Sequence, residues 1–196
     1  MTLWFATGND HKRKELAAIL VGHIIKTPAD AGYDFNPDEN GATFLDNALI
    51  KARALYDLVK EPVIADDSGI CVDALGGRPG VFSARYGTVN GQTLDTTERN
   101  HLLIRELSDI KDNFNRKSRF VCCMVLMLSL DRYFVAQETL EGEIIHELRG
   151  NGGFGYDPIL YLPEHACTVA ELSEQEKNRV SHRGKAALAL SHFLKK

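Results

Sequence analysis

No C-x-x-C pair occurs among the four cysteines, Cys71, Cys122, Cys123 and Cys167, which removes the usual ligand spacing for zinc. Cys122 and Cys123 are neighbours in an apolar run and would face opposite sides of a strand, so reduced thiols and a cytoplasmic location are expected. Basic charge is not in excess either: 23 Lys plus Arg stand against 27 Asp plus Glu, a net charge of -4. A general nucleic-acid coat needs a basic face, so no nucleic-acid partner is expected. An anionic ligand would have to be met by local cations or a metal. The longest apolar run, Phe120 to Leu128, is far too short for a bilayer, and no basic-then-apolar leader opens the chain. Neither a membrane partner nor export is therefore expected. Repeats, low-complexity tracts and linker-like stretches are missing as well. What is there is 196 residues of ordinary globular composition, 44% hydrophobic and 26% charged. That length suits one domain or two joined lobes with a sizeable core.

The chain turns on Val63-Ile64-Ala65-Asp66-Asp67-Ser68-Gly69. Val63 to Ala65 read as a buried strand and Gly69 as the point where the backbone turns. Two adjacent aspartates repel and are costly to bury unpaired, and a divalent cation would remove that cost. A polar turn closing the strand accounts for the same residues without a metal.

Around this stretch the pattern alternates strand and helix. Leu3 to Ala6 is a short apolar strand broken by Thr7-Gly8-Asn9-Asp10, and Asn9 or Asp10 can cap a helix with Leu16, Ala17, Ile19 and Leu20 on its core side. His11-Lys12-Arg13-Lys14 fall in its first turn, where cations oppose the helix dipole. They form either a phosphate cradle, with backbone N–H groups and Lys12 facing the anion, or a solvated basic turn. Ile24-Ile25 is a short strand, followed by a turn-rich stretch that carries a second acidic pair, Asp38-Glu39. Thr43 to Lys60 is a helix opened by a capping box, Thr43 with Asp46, and Lys51 sits at the edge of its apolar stripe. Lys51 leans into a groove or lies on the surface.

Ala74 to Gly80 is a tight loop, and Val81 to Tyr86 a short helix or turn. Thr97 to Leu107 reads as a helix and Phe120 to Leu130 as a central strand covered on both faces. Asp131-Arg132 turns that strand into an antiparallel partner, Tyr133 to Ile145. Gly150 to Pro158 sets Phe154 and Tyr156 among glycines, either as a stacking platform for a planar ligand or as a plain hairpin loop. Ser173 with Glu176 opens a helix bearing Lys177, which stops near Ser181-His182-Arg183-Gly184. Lys185 to Lys196 is the last helix, and His182 and Arg183 between the two are end caps or ligand contacts.

The motifs Thr7-Gly8-Asn9-x-x-Lys12, Asn47-Ala48-x-x-Lys51-Ala52, Ala65-Asp66-Asp67-Ser68-Gly69, Gly76-Gly77-x-Pro79-Gly80, Ser83-Ala84-Arg85-Tyr86, Gly153 to Pro158 and Ser181-His182-Arg183-Gly184 follow one another in this order. Each is modest alone. Their succession from residue 3 to the C-terminus resembles the inosine triphosphate pyrophosphatase family, the bacterial XTP/dITP diphosphatases that clear non-standard purine nucleotides. The resemblance implies an α/β fold: a long twisted mixed sheet flanked by helices, one domain of two lobes with a central groove. It also implies a homodimer, Mg²⁺ dependence, and cleavage of ITP, dITP and XTP between the α- and β-phosphates. Carried over residue by residue, Thr7, Gly8, Asn9, Asp10, His11 and Lys12 would bind the phosphates, with Lys51 and Ser68 helping. Asp67 would be the general base and a metal ligand, with Asp66 beside it and Glu39 as the favoured residue of the Asp38-Glu39 pair. Phe154, Gly155, Tyr156, Asp157, Lys177, His182 and Arg183 would hold the base. His11 departs from the family's usual small residue.

These residue types suit that chemistry. Lys12, Lys51 and Mg²⁺ would neutralise the triphosphate, and Asp67 would take a proton from the attacking water. Arg183 only donates hydrogen bonds, so it would favour a 6-oxo purine over the amino group of adenine.

Overall fold

The computed structural model describes residues 1–194, apart from the side chains of Asn113 and Phe114. Its strands are β1 (Thr2–Phe5), β2 (Ile24–Lys26), β3 (Val63–Val72), β4 (Lys117–Ser129), β5 (Arg132–Ile144), β6 (Leu160–Leu162) and β7 (Cys167–Thr168). Its helices are α1 (Asp10–Ile19), α2 (Phe44–Val59), α3 (Thr96–Glu106), α4 (Glu174–Val180) and α5 (His182–Ser191). The seven strands form one mixed sheet in the order β2-β1-β3-β4-β5-β6-β7. β1 pairs in parallel with β2 and β3, whereas β5–β6 and β6–β7 are antiparallel. The turn between β4 and β5 is Leu130-Asp131 rather than Asp131-Arg132, and so short a connection is a hairpin.

The contacts divide the chain into two compact units. The first comprises Met1–Asp67, Cys122–Glu138 and the chain from Asn178 onward. Strand alternation gives it two cores. Leu3, Phe5, Ile64, Cys122, Met124 and Leu126 pack with Leu16 of α1 and Ala186, Ala187 and Leu190 of α5. Trp4, Ala6, Val63, Ala65, Val125 and Met127 take the other face and pack with Ala48, Ala52 and Leu55 of α2. The expected capping box is in place at α2: Thr43 Oγ1 accepts the Asp46 N–H, and the Asp46 carboxylate accepts the Thr43 N–H. In α1, Leu16 is buried as expected, but Ala17 is exposed. The last helix begins at His182 instead of Lys185, because Ser181 Oγ accepts the Gly184 N–H and caps it. The expected end of that helix at Lys196 falls outside the described residues.

The second unit comprises Ser68–Val121 and Thr139–Lys177. Arg116 is fully buried in it with only backbone carbonyls as named acceptors: Nε donates to Ile144 O at 2.6 Å and Nη1 to Leu107 O at 2.7 Å. It gathers the end of α3 and the end of β5 onto one guanidinium, which no local pattern announces. The Ser173–Glu176 box opens α4 as expected, with Ser173 Oγ accepting the Glu176 N–H and Glu176 accepting the Ser173 N–H.

The largest departure from expectation is β3. It does not stop at Ala65 or turn at Gly69 but runs unbroken to Val72. Gly69 serves close packing: a Cβ there would run into the Gly80 carbonyl oxygen and Ser83 Oγ. Ser83 Oγ is itself committed, accepting the Ile70 N–H at 2.8 Å and donating to Gly80 O at 2.6 Å. Gly69→Ala is therefore expected to lower stability by about 1–3 kcal/mol, the usual range for overpacking a filled site. Thermal unfolding measures it, and an unchanged melting temperature would show that this contact yields freely.

Candidate active site

The continuation of β3 decides how the acidic pair works. Successive side chains on a strand point to opposite faces. Asp66 follows Ile64 onto the face covered by α1 and α5, while Asp67 follows Val63 and Ala65 onto the face covered by α2. The two carboxylates are thus separated rather than paired, and each has its own cations. The repulsion expected between them is relieved by geometry, not by a shared metal.

Asp66 is 1% exposed. Lys12 Nζ lies 3.1 Å from its Oδ1 and 3.0 Å from its Oδ2, and Nε and Nη2 of Arg183 each donate to Oδ2 at 3.1 Å. Burial would push this carboxyl up, but the charges of Lys12, Arg183 and Lys51 outweigh it and hold it well below the usual carboxylate range. Asp66 points to the opposite face of β3 from Asp67 and engages Lys12 and Arg183, so it does not converge with Glu39 and Asp67 on one cation. Arg183 is 2% exposed, and its Nη1 donates to Glu15 Oε2 at 2.7 Å.

On the other face, Asn47 Nδ2 donates to Asp67 Oδ2 at 3.0 Å, and Lys51 Nζ lies 3.7 Å from Asp67 Oδ1 and 2.7 Å from Glu39 Oε2. Asn47 and Lys51 are one helical turn apart on α2, so both reach the same place. Lys51 is 7% exposed, so it is buried rather than a surface residue. Burial alone would lower its pKa, but the charges of Asp66, Asp67 and Glu39 hold it above the ordinary value. Asp67 moves upward: burial raises it, and Lys51 together with the Asn47 hydrogen bond offsets only part of that.

Glu39 and Asp67 converge on one ammonium, and that is the donor arrangement a hard cation would use. No group of three or more His, Cys, Asp or Glu side chains poised for a metal occurs among the described residues. Two carboxylates suffice for Mg²⁺, which keeps several waters and takes further oxygens from a bound phosphate. The residues present therefore fit Mg²⁺ through Glu39 and Asp67, without Asp66.

Near the start of α1, Asn9 Oδ1 accepts the N–H groups of His11 and Lys12, and Thr7 Oγ1 accepts the Asn9 N–H. The Asn9 side chain meets those two amides, while the Lys12 ammonium is directed at Asp66. Gly8, Asp10 and His11 are exposed there, and His182 is buried at the first position of α5.

The second unit holds the remaining expected residues. Ser68 is half-buried on β3. Lys177 Nζ donates to Asp157 Oδ2 at 2.7 Å and lies 4.5 Å from the centre of the Phe154 ring. The same Asp157 oxygen accepts the Phe154 N–H at 2.8 Å, and Tyr156 Oη donates to Ser83 O at 2.9 Å. Asn100 Nδ2 donates to the Gly155 carbonyl at 3.1 Å. Gly153 has φ near +70°, and a Cβ there would meet the Asp157 carboxylate. The aromatic-glycine loop is thus a pinned platform, a half-buried ring with an ammonium over it.

A family model described as the Ham1 family matches residues 3–193. The chain belongs to the Ham1 family. Relatives include a dITP/XTP pyrophosphatase of Treponema denticola, 46% identical over 195 residues and covering 100% of this chain and 99% of its own length. Another, from Halalkalibacterium halodurans, is 44% identical, with 96% of each chain covered. A solved HAM1 protein of Coxiella burnetii superposes with a TM-score of 0.86 at 37% identity, covering 99% of this chain and 98% of its own. A solved nucleoside-triphosphatase / dITP/XTP pyrophosphatase of Mycobacterium abscessus gives 0.75 at 37% identity, with 100% of both covered. The family resemblance read from the motifs is therefore right, and the mixed helix-flanked sheet is the Ham1 sheet.

Two residues of the cluster escaped the sequence reading. Asn47 was visible as the first residue of Asn47-Ala48-x-x-Lys51, one turn from Lys51, but nothing local tied it to Asp67. Glu15 stood among charged residues on α1, and its partner Arg183 lies 168 positions away.

Proposed function

We propose that this Ham1-family protein hydrolyses dITP, XTP and ITP to the nucleoside monophosphate and pyrophosphate. The observation that carries the reading is the convergence of Glu39 and Asp67 on Lys51, with Asn47 fixing Asp67. Glu39 and Asp67 would hold Mg²⁺, which when bound polarises the phosphate and acidifies water. Asp67 orients the attacking water and accepts its proton. Lys51 and Lys12 supply the positive charge that a triphosphate needs, and Thr7 to His11 frame the phosphate end.

The base end is assigned to Phe154, Gly155, Tyr156, Asp157 and Lys177. The ring of Phe154 gives a stacking face, and the Lys177 ammonium over it only donates hydrogen bonds, which suits a 6-oxo purine and not the amino group of adenine. Arg183 keeps a supporting role, holding Asp66 and through it Lys12. A homodimer in the cytoplasm completes the assignment. The four cysteines are free thiols, as a reducing compartment requires, and no described helix is long and apolar enough to cross a membrane.

Phe154→Ala is expected to raise KM for ITP by about 5- to 150-fold, the equivalent of ~1–3 kcal/mol of stacking, with a smaller change in kcat. Steady-state kinetics measures it, and an unchanged KM would remove Phe154 from the base site. The assignment as a whole is tested by incubating the protein with ITP and Mg²⁺ and identifying the products. Pyrophosphate with IMP supports it. Orthophosphate would indicate a phosphatase, phosphoryl transfer to an acceptor a kinase, and unchanged ITP a binding protein.

A further inference from the structure

We infer that the Asn47 carboxamide is a positioning residue for the reaction, one planar group that sets the general base Asp67 against the loop carrying Glu39. The inference rests on the hydrolase reading above and adds a residue to it. Asn47 is 1% exposed and lies inside the first turns of α2, where asparagine is a poorer helix former than alanine. Both ends of its amide are used. Nδ2 donates to Asp67 Oδ2 at 3.0 Å, and Oδ1 accepts the Gly41 N–H at 2.8 Å. The partners fix the orientation, because a carboxylate only accepts and an N–H only donates.

Gly41 lies two residues beyond Glu39, so the amide ties that loop to Asp67 through a rigid group. The approach is close: a Cβ on Gly41 would stand 2.5 Å from Asp46 Cβ and 2.7 Å from Asn47 Oδ1. With Oδ2 of Asp67 held by Asn47, its Oδ1 is turned toward Lys51, the same ammonium that Glu39 meets. Two acidic groups that must share a cation, buried Asp67 and half-buried Glu39, gain from such a tether, since second-layer hydrogen bonds orient the groups that do the binding.

The test compares Asn47→Ala and Asn47→Asp with the parent. Pyrophosphate release from ITP gives kcat and KM, and electron paramagnetic resonance gives the affinity of the nucleotide-free enzyme for Mn²⁺. Asn47→Ala is expected to lower kcat by about 10- to 100-fold, leave KM for ITP within about threefold, and weaken Mn²⁺ binding by about 10-fold. Asn47→Asp keeps the shape and the acceptor for Gly41 but loses the donor to Asp67, so it is expected to show the same kcat loss. If Asn47→Ala does not fold by circular dichroism, the isosteric variant decides. Parent-like kcat and Mn²⁺ affinity in a variant of lowered melting temperature would make Asn47 purely structural and overturn the inference. A parent that binds Mn²⁺ but leaves ITP intact would count against the hydrolase reading. The positioning role would then stand or fall on the Mn²⁺ affinity of Asn47→Ala.

Discussion

Replacing Asp67 with asparagine is expected to lower kcat for ITP by about 10²- to 10⁴-fold, the usual contribution of a positioned general base, while the protein stays folded. The fold survives because the change is nearly isosteric. The new side chain keeps a carbonyl oxygen that can accept the Asn47 N–H, and Lys51 keeps Glu39 at 2.7 Å. What is lost is the proton acceptor and one charged oxygen for Mg²⁺. Pyrophosphate release at saturating ITP and Mg²⁺ gives the rate, and circular dichroism with thermal unfolding gives the fold. A folded variant with most of its kcat would take Asp67 out of the base role.

Arg183→Met is expected to act on the other face of β3 and mainly on stability. Arg183 is 2% exposed and directs Nε and Nη2 at Asp66 and Nη1 at Glu15. Methionine removes the charge and leaves Asp66, 1% exposed, with the Lys12 ammonium beside it and the weaker influence of Lys51. Breaking a buried pair from one side costs about 3–5 kcal/mol. For a chain of this length each kcal/mol moves the melting temperature by roughly 2–4 °C, so a fall of about 6–20 °C is expected. Adding Asp66→Asn to Arg183→Met should recover part of that fall, because the uncompensated buried charge is then gone. A single variant that melts with the parent would mean that the pair does not hold the first unit together.

The sequence carried the local features well because their causes are local. The capping boxes Thr43–Asp46 and Ser173–Glu176 lie within three residues, and the apolar run of β4 reads as a strand covered on both faces. β3 was misread because its cause is not local. Asp-Asp-Ser-Gly has turn composition, yet it lies within a strand that neighbours β4 in the sheet, and Gly69 answers to Gly80 and Ser83 farther along the chain. The same holds for charge. Nothing near Arg183 shows that its partner is Asp66, 117 residues earlier. Nor does anything near Lys51 show that it will be buried between Glu39 and Asp67. The family motifs named nearly all of the cluster. They could not distribute it over two faces of a sheet, and that distribution separates Asp67, proposed as base and metal carboxylate, from Asp66, which engages Lys12 and Arg183.

The most direct test of this division of labour follows one oxygen atom. ITP is hydrolysed by the protein with Mg²⁺ in ¹⁸O-labelled water, and both products are analysed by mass spectrometry. Attack on the α-phosphate by a water that Asp67 deprotonates places the label in IMP and leaves pyrophosphate unlabelled. Label in pyrophosphate would mean attack at the β-phosphate and would contradict the account.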